Sequence, residues 1–270
     1  MALPTPAADR TAVVTGASSG IGEAVARELA RRGHWVTLVA RRADKLEHLA
    51  AELGAGGVRA NVLVADLSDP AARAGLLGRI VELGLTPDIL VNNAGFTTMG
   101  PVAASDPTTE TNMIEVDVVA VADLCSRFLP GMVERSRGAV LNVASTGAFQ
   151  PLPGQAAYGA AKAFVLSYSE SLSGELRGTG VHVTVLCPGP VETGFGERAG
   201  ISREDAEAAL PKFLWETADT VARAGIEGLA KGRAVVIPGN ANRVGAVLGH
   251  LTPNRLLVPI LARGHPGLRA

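Results

Sequence analysis

Short apolar runs alternate along the chain with longer stretches of helical spacing. Seven runs, at 11–15, 35–40, 58–65, 88–91, 139–144, 181–187 and 234–237, are brief and mostly apolar, as buried strands are. Between them lie six helical patterns, at 23–32, 43–53, 71–83, 109–134, 158–177 and 217–231. Ile21, Val25 and Leu29 recur four apart, and Ile114, Val118, Val121, Cys125 and Phe128 form one stripe. Asp69 followed by Pro70 reads as an N-cap and first helical residue. Strands alternating with helices predict an α/β fold, with one doubly wound parallel sheet of seven strands. The core spans about 10–238 and no linker divides it, so 1–270 reads as one domain.

The pattern changes after 238. Val244, Val247, Leu248 and Leu251 make one apolar stripe, and Leu256, Leu257, Ile260 and Leu261 make another. Pro253 is placed to open the second helix, and Arg243, Arg255 and Arg263 mark polar faces. This amphipathic helical extension, 239–270, is expected to pack on the lid or on a second subunit. Contact with a membrane surface through 241–263 is the weaker expectation, because the basic face is thin. Segment 194–215, with Gly194, Gly196 and Gly200, reads as a lid.

Composition narrows the class. The formal net charge is −1 with no basic tract, which argues against nucleic acid. Cys125 and Cys187 lie inside apolar segments and read as core thiols of a reducing compartment. No Cys/His grouping has metal-ligand spacing, so no metal is expected. Residues 1–9 lack the basic start and apolar core of a signal peptide, and no run of 18 apolar residues occurs. The expectation is a cytoplasmic globular protein.

Candidate chemistry begins at the first strand–helix junction. Gly16-Ala-Ser18-Ser19-Gly20-Ile21-Gly22 stands between a predicted strand and a predicted helix, where free N–H groups can meet a phosphate. Its spacing is not G-x-G-x-x-G, and a glycine loop alone is weak evidence. The second strand ends in Arg41 and Arg42 rather than an acid. Guanidinium there suits a 2′-phosphate, favouring NADP(H) over NAD(H), although Arg42 could equally open the next helix as a solvated residue. Asp66 and Leu67 follow the third strand, with Asp66 a candidate for adenine contact or a simple loop carboxylate. Asn92-Asn93-Ala94-Gly95 follows the fourth, at the carboxyl end where ligands bind. Tyr158 and Lys162 stand four apart, on one helix face. An ammonium near a phenol favours the phenolate, although five residues alone fit a chance surface pair as readily.

Together these residues resemble the short-chain dehydrogenase/reductase family over about 10–238. The resemblance rests on Thr15-Gly16-x3-Gly20-Ile21-Gly22, Asp66, Asn92-Asn93-Ala94-Gly95, Ser145, Tyr158-x3-Lys162, and Pro188-Gly189 followed by Thr193. It implies a Rossmann-like fold and carbonyl–alcohol interconversion. It implies that Tyr158 is the acid or base, that Lys162 binds the nicotinamide ribose and lowers the Tyr158 pKa, and that Ser145 holds the substrate oxygen. Pro188, Gly189, Val191 and Thr193 would face the nicotinamide, and Arg41 the 2′-phosphate. Tyr168, with no lysine four on, reads as packing.

One position departs from the family pattern. Alignment on Phe128-Leu129-Pro130 puts Asp117 where the family commonly has Asn. A carboxylate on an apolar stripe needs a cation, a proton or a polar site, and Lys162 is the expected partner. Phe96, Met99, Phe149, Leu152 and Phe195, with Leu210, Phe213, Leu214 and Trp215, are pocket candidates. They point to a lipophilic small-molecule carbonyl or alcohol. Helices 109–134 and 158–177 are expected to pair in a homodimer or homotetramer, as in relatives. The alternative function is a catalytically weak or silent NADP-binding regulatory or scaffold protein.

Overall fold

The structure is a computed structural model and describes residues 3–195, 210–264 and 266–268. Strands β1 (Arg10–Thr15), β2 (Val36–Ala40), β3 (Ala60–Val64), β4 (Thr86–Asn92), β5 (Gly138–Val143), β6 (Val181–Leu186) and β7 (Val235–Val236) form one parallel sheet. Its order is β3-β2-β1-β4-β5-β6-β7. The order reverses between β1 and β4, which opens a crevice at the carboxyl ends of those strands.

Helices cover both faces. On one side lie α1 (Gly20–Arg31), α2 (Ala43–Ala55) and α7 (Ala218–Ala230), whose Val25, Leu29, Leu46, Val221 and Ile226 are buried against the sheet. On the other lie α3 (Pro70–Glu82), α5 (Ala120–Glu134) and α6 (Ala156–Glu175), with Leu76, Ile80, Leu124, Phe128 and Leu172 buried. Leu29 is fully enclosed, so Leu29→Ala would cost about 2–5 kcal/mol. Asp69 caps α3 by accepting from the Ala71 N–H at 2.9 Å, and Pro70 is the first helical residue, as its sequence predicts.

Several boundaries differ from expectation. The strand predicted from 58 starts at Ala60, because the Val58 N–H closes the end of α2 by donating to Leu53 O. The helix predicted over 109–134 starts two residues earlier, with Asp106 capping α4 (Pro107–Ile114) through the Thr108 and Thr109 N–H groups. It is continuous with α5 only through a π-helical turn, Glu115–Val119. Such turns are rare and occur often at functional sites; Asp117 lies at the centre of this one.

The extension forms two helices, α8 (Asn240–Leu251) and α9 (Asn254–Gly264). Pro253 precedes α9 instead of opening it. In α8 the apolar stripe faces outward. Asn242, Ala246 and Gly249 face inward, while Val244, Val247, Leu248 and Leu251 are exposed. Small residues on the inner face permit close backbone approach: a Cβ on Gly249 would lie 2.4 Å from Gln150 Oε1. Of the predicted lid over 194–215, residues 196–209, including Gly196 and Gly200, lie outside the described residues. Among the described residues, no helix is long and apolar enough to cross a membrane.

Candidate active site

A cleft of about 1170 Å³ opens along the carboxyl ends of the strands. At one end is the loop from β1 to α1. Gly16 and Gly20 have φ of 66° and 59°, values that favour glycine. Space is also restricted there, since a Cβ on Gly16 or Gly22 would lie 2.7 or 2.4 Å from Asn93 Nδ2. Asn93 holds the loop by donating to Thr15 O at 3.0 Å. The Thr15 hydroxyl accepts from the Asn93 and Ala94 N–H groups, both at 3.0 Å. Ser19 at the start of α1 makes no side-chain cap. The leading N–H groups of the helix therefore have no side-chain competitor for an anion.

The two arginines differ. Arg41 is 73% exposed, with Nη1 3.8 Å from Asp66 Oδ2. Arg42 reaches back across the loop, donating to Ser18 Oγ and Ser19 Oγ at 2.9 Å and to Ser18 O at 3.0 Å. Arg42 is thus a clip on the glycine loop as well as the N-cap residue of α2. Burial raises the Asp66 pKa, but hydrogen bonds from Ser68 and the nearby Arg41 outweigh it, so this carboxyl lies below its ordinary value. Leu67 beside it is buried and lines the cleft.

Ser145, Tyr158 and Lys162 all line the middle of the cleft. Ser145 follows β5, and its Oγ accepts from the Gly147 N–H at 3.0 Å, capping the turn Thr146–Phe149. Tyr158 and Lys162 stand one turn apart on α6, with Lys162 Nζ 5.6 Å from the Tyr158 ring centroid. Lys162 also donates to Val143 O at 3.3 Å.

Asp117 is the expected partner of Lys162: Oδ2 lies 2.8 Å from Nζ, and both side chains are buried. Oδ1 accepts from the Phe96 N–H at 3.0 Å. The carboxylate lies flat on Gly95, where a Cβ would be 2.8 Å from Oδ2. Burial pushes the Asp117 pKa up, and Lys162 and Phe96 only partly offset this. Burial pulls Lys162 down, but Asp117 and Tyr158 together push it above its ordinary value. Tyr158 is raised by burial, lowered in part by Lys162 and raised again by Asp117. The pull of Lys162 on Tyr158 therefore has the expected sign, but it does not bring the phenol below its ordinary value.

Pro188, Gly189, Val191 and Thr193 also line the cleft. Thr193 Cγ2 would touch a Cβ on Gly20 at 3.1 Å, so this segment meets the glycine loop. Asn242 of α8, missed in the sequence, donates to Leu214 O at 2.9 Å and fills the space above Gly189, where a Cβ would lie 2.3 Å from its Oδ1. Phe96, Met99, Leu152, Phe195, Leu210, Leu214 and Trp215 line the cleft, joined by Ile260 and Leu261 of α9. Phe149 and Phe213 do not. Phe149 packs edge-on against His250 of α8 and beside the cluster around Val165, and Phe213 is 72% exposed. Tyr168 stacks on Phe164, in keeping with a packing role.

A second polar group lies below the cleft. Asn92 Nδ2 donates to Asn142 Oδ1, and Asn142 Nδ2 donates to Ser169 Oγ, each at 2.9 Å. All three residues are buried, and the chain of bonds ties β4, β5 and α6 together beneath Lys162. Cys125, buried beside it, is free, and burial raises its thiol to about 12.

A family model described as short chain dehydrogenase matches residues 10–203. A short chain dehydrogenase of Pseudocercospora fijiensis is 42% identical over 190 residues, 69% of this chain but only 61% of that protein. A short-chain dehydrogenase of Sphingobium yanoikuyae solved with NADPH superposes with a TM-score of 0.79 at 34% identity, covering 93% of this chain and 95% of that one. A short-chain dehydrogenase/reductase of Burkholderia phymatum solved with NAD gives a TM-score of 0.81 at 26% identity, covering 89% and 92%.

Proposed function

The chain belongs to the short-chain dehydrogenase family and is an NAD(P)-dependent oxidoreductase acting on CH–OH or C=O groups; from that premise we propose that it prefers NADP(H), takes a lipophilic substrate and uses Tyr158 as its acid and base. The observation that carries the reading is the convergence of Ser145, Tyr158 and Lys162 on one apolar-rimmed cleft that also contains the glycine loop.

The residues fit a dinucleotide. The loop of Gly16, Ser18, Ser19, Gly20, Ile21 and Gly22 would hold the pyrophosphate at the start of α1. Arg41, exposed and paired only loosely with Asp66, would take a 2′-phosphate. Asp66 and Leu67 would face the adenine, and Asn93, Ala94 and Gly95 the neighbouring ribose. Lys162 would bind the ribose of the nicotinamide half, and Pro188 to Thr193 its carboxamide. Bound nicotinamide supplies a hydride to a carbonyl carbon, or accepts one from an alcohol.

The proton is the protein's contribution. In reduction the Tyr158 hydroxyl donates to the carbonyl oxygen; in oxidation the phenolate takes the alcohol proton. The phenol lies above its ordinary value, so it carries its proton at neutral pH. That state suits donation to a carbonyl oxygen. The Ser145 hydroxyl accepts from Gly147 and lies within hydrogen-bonding reach of the Tyr158 oxygen, so the two hydroxyls together would hold the substrate oxygen. Lys162 would steady the phenolate that forms.

Phe96, Leu152, Phe195 and Trp215 give the substrate end an apolar lining, which supports a lipophilic carbonyl or alcohol. Ile114, Val119 and Phe164 are exposed on the helices expected to pair, which supports a homodimer or homotetramer. A silent scaffold role is not favoured, because all three catalytic candidates line the cleft. Thermal-shift titration with NADPH and NADH, followed by a carbonyl panel read at the cofactor's absorbance, tests the reading. Larger shifts with NADPH and turnover of apolar ketones are expected. Larger shifts with NADH, or turnover confined to small charged substrates, would refute it.

A further inference from the structure

The outer face of the extension is built against the usual rule. An amphipathic helix on a globular domain turns its large apolar residues inward. In α8 the inward positions are Asn242, Ala246 and Gly249. The opposite side presents Val244, Val247, Leu248 and Leu251, each between 51% and 71% exposed. In α9, Leu256 and Ile260 are 56% and 65% exposed. Six large apolar residues on two successive helices are more than scattered surface exposure, and a grouping of this kind marks a docking face.

Charge selects the occupant. After Glu227 the sequence contains no acidic residue and six cationic ones, Lys231, Arg233, Arg243, Arg255, Arg263 and Arg269. The first 227 residues hold 19 Lys and Arg against 26 Asp and Glu, a formal charge of −7. Arg243, Arg255 and Arg263 are exposed on the same two helices as the apolar face. Glu216 lies beside Gly239, at the inner end of this unit. A two-fold contact between copies would set these like-charged faces against each other. A bilayer carrying anionic headgroups satisfies both features, taking the apolar side chains into its interface and the guanidinium groups among its phosphates.

We propose that α8 and α9 dock this protein on an anionic membrane surface. Ala246, Ile260 and Leu261 of these helices also line the catalytic cleft. Ile260 belongs to both surfaces, so the docking face adjoins one cleft wall on the same helix pair, and docking would set the cleft beside the lipid phase. No described helix can cross a bilayer, so the contact is interfacial. The proposal goes beyond the assigned chemistry and holds whatever the substrate is.

Vesicle flotation of the full chain tests it, comparing phosphatidylcholine with phosphatidylcholine containing phosphatidylglycerol. Two variants accompany it, L248E/L251E and R243E/R255E/R263E; none of the five positions lines the cleft. Melting temperature and mass in solution establish that each is folded. The wild type should float with the anionic vesicles, and added salt should release it. Each arginine near the surface is worth roughly fivefold in partition, so the triple variant should lose about a hundredfold. The double variant should lose about tenfold or more. Absence of the wild type from anionic vesicles, or undiminished flotation of either folded variant, would overturn the proposal. So would a wild-type dimer that L248E/L251E converts to monomer while vesicle binding stays unchanged, which would make the face a subunit contact.

Discussion

Lys162 Nζ stands 2.8 Å from the buried Asp117 Oδ2. The same ammonium is 5.6 Å from the centre of the Tyr158 ring, so one cation serves two acidic groups. Asp117 reaches it because a π-helical turn displaces the chain at Glu115–Val119. Gly95 makes room for the carboxylate, and the Phe96 N–H holds its other oxygen. Asp117 touches none of the reacting groups assigned above and acts through Lys162, which makes it a positioning residue.

Asp117→Asn removes a negative charge that raises the Tyr158 pKa. In alcohol oxidation the rate rises as the phenol ionises, so that rise should move to lower pH. Profiles of kcat/KM against pH in the oxidative direction measure it; an unmoved limb removes Asp117 from the proton chemistry. Leaving Lys162 without its buried partner should also cost about 3–5 kcal/mol of stability in thermal or urea unfolding.

Arg41 and Arg42 should separate by cofactor. Arg41 is mostly exposed, so Arg41→Ala should weaken NADPH by about ten- to a hundredfold, the worth of a charged hydrogen bond, and leave NADH unchanged. Arg42 clips Ser18 and Ser19, so Arg42→Ala should weaken both nucleotides. Fluorescence titration of each variant with each cofactor checks the pattern. Equal loss of both cofactors in Arg41→Ala would withdraw the 2′-phosphate assignment.

Stability should fall in mild acid because of His34. Burial, with Arg32 and Arg137 nearby, lowers its pKa from 6.5 to about 4, while Asp88 opposes weakly. Between those values the unfolded state binds the proton and the folded state does not, so stability rises with pH. The contribution, about 3 kcal/mol, is complete above about pH 6.5 and is lost as pH falls toward 4. Urea unfolding across that window should show the slope in the wild type, and His34→Gln should flatten it.

Much of the fold was legible because strand and helix periods differ sharply along this chain. The catalytic candidates were legible because their spacing is local: Tyr158 and Lys162 share a helix face, and Ser145 ends a strand. Features that depend on distant partners were not. Asn242 reads as an ordinary polar residue near a helix start, and its role depends on Gly189 and Leu214. Asn142 and Ser169 look like breaks in apolar patterns until β4, β5 and α6 bring them together. The stripe on α8 was visible, but periodicity gives a face and not its direction; only the small Asn242, Ala246 and Gly249 could have signalled the outward one. Phe149 sits in the expected loop, yet His250 holds it away from the cleft.

The central claim is that the Tyr158 hydroxyl carries the proton, and single-turnover reduction by Tyr158→Phe tests it most directly. The variant keeps the ring beside Phe195 and Lys162 and lacks only the hydroxyl. NADPH affinity measured by titration should stay within about threefold of wild type, while the rate of cofactor oxidation with a ketone on the enzyme should fall by about 10²–10⁴-fold. A variant that binds NADPH normally and reduces the ketone at the wild-type rate would contradict the account.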